Sequence, residues 1–135
     1  MTVLVATENT DGPTRKIAEV IAEALTGRDI EVTVGDLSDL ERAEEFEAIV
    51  FGGEVEDAQW SPDTREALLA QGRKLSQHLV WLFSAGDDES SDDDETAELI
   101  GKLVPRDYKK FRAGAEPDEV RSWVSFIADE IEGHS

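Results

Sequence analysis

Three short runs of this chain contain nothing but apolar residues: Val3-Leu4-Val5-Ala6, Ala48-Ile49-Val50-Phe51 and Leu79-Val80-Trp81-Leu82-Phe83. A strand with one wet face alternates polar and apolar positions, so unbroken runs of this length predict strands covered on both faces. Two further segments do alternate. Ile30, Val32 and Val34 are separated by Glu31 and Thr33, and Tyr108-Lys109-Lys110-Phe111 forms a second half-polar strand. Between these segments the period changes to that of a helix. Lys16 to Thr26 places Ile17, Val20, Ile21, Ala24 and Leu25 on one stripe, with Pro13 suited to the first turn and Gly27 to the stop. Ser61-Pro62-Asp63 opens a second helix whose inward side includes Ala67, Leu68 and Leu75. A short helix carries Ala97, Leu99, Ile100 and Leu103, and the last starts near Pro117 with Val120, Trp123, Val124, Ile127 and Ile131 on one face. Glu41 to Glu47 is compatible with a brief helix or a loop.

The alternation of strand and helix fixes a fold class. Central strands of a covered parallel sheet are apolar throughout, whereas edge strands can be half wet. The two alternating segments therefore belong at the edges. An α/β three-layer sandwich with a five-stranded parallel sheet of order 2-1-3-4-5 satisfies this, its helices joined by right-handed crossovers. With no internal repeat and no long linker, residues 1–135 are expected to form one domain.

In such a sheet, ligands sit beyond the carboxyl ends of strands one and three. The segment after strand one suits an anion. Glu8-Asn9-Thr10-Asp11-Gly12-Pro13-Thr14 leads from Thr7 directly into the first helix, whose start offers free N–H groups and the positive dipole end. Asn9, Thr10 and Thr14 add side-chain donors, and Gly12 lets an anion approach the backbone. The residues thus predict a phosphate-bearing ligand at this point. A merely structural turn explains the same residues.

Charge and composition exclude other classes. The chain has 32 acidic and 13 basic residues, a net charge of −19, and no cysteine. Disulfides and thiolate chemistry are ruled out, and nucleic-acid binding lacks its basic footprint. No apolar run approaches a membrane span, so a cytoplasmic setting is expected. The acids spread over every helix and turn, which fits adaptation to concentrated salt. A docking surface for a basic partner, with the loop run Asp87–Glu95 as its candidate, and a disordered tail are the competing explanations. No residue pattern indicates a metal or a catalytic histidine: His78 and His134 have no second ligand in register, and the aspartate run lacks calcium-loop spacing. G-x-G-x-x-G and P-loop signatures are absent, and Gly52-Gly53 occupies the place of a phosphoacceptor aspartate.

The segment Thr10-Asp11-Gly12-Pro13-Thr14-Arg15-Lys16-Ile17-Ala18 resembles the FMN phosphate loop of flavodoxin-like proteins. Phe51-Gly52-Gly53-Glu54-Val55 with Trp60, Trp81-Leu82-Phe83-Ser84-Ala85-Gly86, and Asp118-Glu119-Val120-Arg121-Ser122-Trp123 extend the likeness over most of the chain. Within the family, these blocks are most similar to menaquinone-dependent protoporphyrinogen dehydrogenases and short flavodoxin domains. The resemblance implies FMN held by three loops. Asn9, Thr10, Asp11, Gly12, Pro13 and Thr14 would wrap the phosphate. Gly53, Glu54, Val55 and Trp60 would line one side of the isoalloxazine ring, and Ser84, Ala85 and Gly86 would lie on its pyrimidine side. It also implies a Gly52-Gly53 carbonyl able to turn toward flavin N5.

Some residues depart from the family pattern. Pro13 lacks an N–H, Glu8 and Asp11 bring carboxylates near the phosphate position, and Glu56 and Asp57 stand where an aromatic is usual. The protoporphyrinogen-oxidising enzymes carry a longer segment before the last helix than Phe111 to Pro117 allows here. The resemblance therefore implies an FMN-dependent electron-transfer protein or small oxidoreductase, monomeric or homodimeric, serving a redox protein or quinone-type molecule. A cofactor-free binding module on the same fold is the alternative.

Overall fold

A computed structural model describes residues 2–7, 13–56, 59–60, 62–75, 77–85, 94–103, 105–111 and 116–134. The strands are β1 (Thr2–Thr7), β2 (Glu31–Asp36), β3 (Ala48–Glu56), β4 (Gln59–Trp60), β5 (Leu79–Ala85) and β6 (Asp107–Phe111). The helices are α1 (Pro13–Thr26), α2 (Pro62–Ala70), α3 (Gly72–Leu75), α4 (Asp94–Leu103) and α5 (Pro117–His134), with a 3-10 segment at Leu37–Glu45.

Five strands run parallel in the order β2-β1-β3-β5-β6. This is the predicted 2-1-3-4-5 order once the two-residue β4 is set aside; β4 folds back antiparallel on the end of β3, pairing Val55 with Trp60. The apolar runs behave as expected. Val3, Val5, Val50, Trp81 and Phe83 face a core shared with α1 and α5, while Leu4, Ala6, Ile49, Phe51 and Leu82 face a second core with Leu40, Leu68, Leu75 and Leu103. A strand buried on both faces has no position for a polar side chain, hence the unbroken runs.

The structure corrects several boundaries. β3 continues through Gly52-Gly53 to Glu56, because its ladder with β5 extends to Glu54 opposite Ala85 and β4 then pairs with its tip. The helix opening at Pro62 breaks into α2 and α3, leaving Leu75 buried but on the second piece. α1 ends at Thr26 with Gly27 directly after it, as expected, and a turn then runs on to Ile30. The left-handed residue is Asp29, with φ 65°, while Gly27, Arg28 and Ile30 donate N–H groups back to Glu23 and Leu25. Aspartate tolerates this conformation better than most residues. On β2, Val32 is half-buried as expected, but Val34 is 37% exposed, because the outer flank of an edge strand has no neighbour. Of the acidic run Asp87–Glu95, residues 87–93 lie outside the described residues, while Asp94 and Glu95 open α4.

Candidate functional site

The parallel register brings Thr7 at the end of β1 beside Gly52 in β3. Pro13 begins α1 above these strand ends, so a helix N-terminus faces the point where the chain crossovers diverge. Thr14, in the first turn of α1, is 2% exposed. Its Oγ1 is buried and, among the described residues, has no hydrogen-bond partner. Buried hydroxyls are nearly always bonded, since leaving one unmade costs about 1–3 kcal/mol. An unpaired donor at the positive end of a 14-residue helix is the donor set an anion completes.

Arg15 and Lys16 follow on the same turn. Arg15 Nη1 donates to the Gly35 carbonyl at 3.3 Å, so this guanidinium reaches toward the end of β2, and Lys16 is exposed. The β2 exit is held by Asp39, whose carboxylate accepts the Asp36 N–H at 2.9 Å and Arg42 Nη2 at 2.6 Å.

The other two predicted loops spring from neighbouring strand ends. Gly53 lies opposite Ser84 and Glu54 opposite Ala85 in the β3–β5 ladder, and Val55 is followed by the reversal that sets Trp60 beside it. Gly53 and Ala85 are buried. Residues 53–55, 60, 84 and 85 therefore share one end of the sheet with Thr7 and the start of α1. Asn9, Thr10, Asp11, Gly12 and Gly86 lie outside the described residues.

Two features escaped the sequence. Ser84 Oγ and the Tyr108 hydroxyl are 2.7 Å apart, a hydrogen bond linking β6 to the last residues of β5. Tyr108 sits opposite Leu82 and reaches one step up the neighbouring strand, which no local pattern announces. Gly52 also has a duty in packing. A β-carbon there would lie 2.0 Å from Phe83 Cζ, so the glycine makes room for that ring.

A parallel sheet in this order, with the start of α1 and the ends of β1, β3 and β5 at its carboxyl side, is the flavodoxin architecture. The family profile described as a flavodoxin domain matches residues 4–119, and the chain belongs to that family. It is 29% identical over 147 residues to a flavodoxin of Maridesulfovibrio salexigens, covering 95% of this chain and 97% of that protein. Among solved structures it is similar to a flavodoxin from the domain Archaea, with a TM-score of 0.76, 17% identity, and 98% and 99% of the two chains covered. Oxidised flavodoxin 2 from Bacillus cereus superimposes with a TM-score of 0.74 and 20% identity over 96% and 99% of the chains. Rubredoxin oxygen:oxidoreductase from Desulfovibrio gigas matches with a TM-score of 0.77 and 13% identity, covering 98% of this chain but 36% of that one. These structural likenesses establish the fold. Among the described residues, no helix is long and apolar enough to cross a membrane.

Proposed function

We propose that this chain is an FMN-binding electron-transfer protein. The observation that carries the reading is the buried Thr14 Oγ1 at the N-terminus of α1, which has no hydrogen-bond partner among the described residues. A phosphate there would accept the hydroxyl's hydrogen bond and meet the free N–H groups of the first turn. Thr14, with residues 9–13, would hold the phosphate; Gly53, Glu54, Val55 and Trp60 would border one side of the ring, and Ser84, Ala85 and Gly86 its pyrimidine side. When bound, FMN supplies reversible electron transfer, and the protein contributes binding, orientation and the electrostatics around the ring. The Ser84–Tyr108 bond anchors the start of the pyrimidine-side loop. A single domain that gives and takes electrons needs a partner, and a redox protein or a quinone-type molecule fills that role.

The net charge of −19 supports a cell interior rich in salt, where screening relieves repulsion among surface carboxylates. Titrating the protein into FMN in molar potassium chloride tests the cofactor assignment. Quenching of flavin fluorescence and a yellow protein fraction are expected; unchanged fluorescence at excess protein would reject it.

A further inference from the structure

The two outer edges of the sheet are built differently. β6 carries Lys109 and Lys110 side by side, a placement by which natural sheets block edge-to-edge pairing. β2 has no lysine, arginine or proline between Glu31 and Asp36, and among the described residues only β1 pairs with it. Its Glu31, Thr33 and Val34 are exposed. An open depression of about 560 Å³ lies over the amino ends of β1 and β2, its lining including Thr2, Asp29, Ile30, Glu31, Val32 and Thr33. The lining contains two carboxylates and no basic residue. Arg28, the cation of the adjoining turn, is committed elsewhere: its Nη2 donates to Asp129 Oδ1 and Glu132 Oε2 on α5, each at 2.9 Å. The depression lies opposite the Thr14 site, so its occupant is independent of the cofactor.

We propose that the outer edge of β2 receives an extended, basic segment of a partner protein as an added strand. Side chains alternate across a strand, so Glu31 and Thr33 share one face of the edge and Ile30, Val32 and Val34 the other. A segment alternating lysine or arginine with apolar residues matches both faces at once, while its backbone pairs with the open edge. Asp29 and Glu31, both exposed at the start of this edge, meet the cations of such a segment at contact distance. A second copy fits poorly, because pairing two β2 edges would set Asp29 and Glu31 of each against the other's.

The probe is a fluorescein-labelled heptapeptide alternating lysine and valine, titrated with the full chain at physiological ionic strength and followed by anisotropy and backbone amide shifts. Saturable binding is expected, with shifts concentrated over residues 31–36. Glu31→Lys and Thr33→Lys, both on exposed positions, should each weaken it by about tenfold or more, whereas Lys109→Glu on the opposite edge should not. A peptide of equal charge with proline replacing valine should bind at least about tenfold more weakly, having lost backbone donors. The proposal is overturned if the proline peptide binds equally well, if the shifts map away from β2, or if both lysine variants bind like the wild type. Sedimentation showing a dimer that Thr33→Lys, at the centre of the paired edge, dissolves would overturn it in favour of a second copy.

Discussion

Phe83 packs over Gly52 so closely that any β-carbon on the glycine would fall 2.0 Å from Phe83 Cζ. The ring cannot simply swing aside. It meets Phe111 and Trp123 edge-to-face, with centroids 6.2 and 6.1 Å away, and is completely buried. One residue of the Gly52-Gly53 pair is thus glycine for the sake of the core beneath the candidate site, whatever its carbonyl does above it.

Gly52→Ala should therefore destabilise the fold by about 1–3 kcal/mol, the usual cost of overpacking a filled core. Gly52→Ala combined with Phe83→Leu should recover part of that loss, because removing the ring vacates the space the new methyl needs. Chemical denaturation of the single and double variants measures both effects.

The acidic surface leads to a second expectation. Many cations are already paired: Arg28 with Asp129 and Glu132, Arg65 with Glu98, and Arg106 with Glu130. With 32 acids against 13 bases, most carboxylates cannot have a cation of their own. Shortening the Debye length from about 8 Å at physiological salt to about 3 Å at 1 M removes most of that repulsion. The thermal midpoint should climb steadily from dilute buffer to molar potassium chloride. A midpoint indifferent to salt would contradict the reading of the acids as a salt adaptation.

Glu44 provides a pH-dependent contact. Its own backbone N–H and then Lys74 Nζ, 3.1 Å from Oε2, hold its carboxyl below the usual glutamate range. A lowered folded-state value means that the stabilisation is present above the unfolded glutamate pKa. It is lost as pH falls through the folded value. An NMR titration of Glu44 should show a midpoint below that of an ordinary glutamate, and Lys74→Met should move it upward. The carboxylate is exposed, so the global stability should change little.

The sheet order was readable because burial on two faces leaves a different residue pattern from burial on one. Val3–Ala6, Ala48–Phe51 and Leu79–Phe83 are unbroken, whereas the strands holding Val32 and Lys110 alternate. Features that depend on distant partners left no such trace. The continuation of β3 through two glycines to Glu56 comes from its ladder with β5 and β4, not from strand propensity. Asp29, two residues beyond the Gly27 stop, takes the left-handed position where the turn after α1 hands the chain to Ile30, and no local pattern marks it. Ser84 and Tyr108 lie 24 residues apart, and only the β5–β6 register brings their hydroxyls together. At the candidate site, Thr14 was conspicuous as a hydroxyl in the first turn of an amphipathic helix. That its oxygen is buried, with no partner among the described residues, follows from the packing of α1 on the sheet, which residue type alone does not specify.

The most direct measurement is a comparison of wild type with Thr14→Val, for stability without FMN and for FMN affinity, both in molar salt. Valine keeps the shape and removes an oxygen that has no partner among the described residues, so the cofactor-free variant should be as stable as the wild type or gain up to about 1–3 kcal/mol. FMN binding should move the other way. Loss of one hydrogen bond to a charged acceptor, about 1.5–3 kcal/mol, corresponds to a Kd raised by about 10- to 150-fold. A variant that is markedly less stable without FMN, and that binds the flavin as tightly as the wild type, would show that the Thr14 hydroxyl serves the fold and not a phosphate.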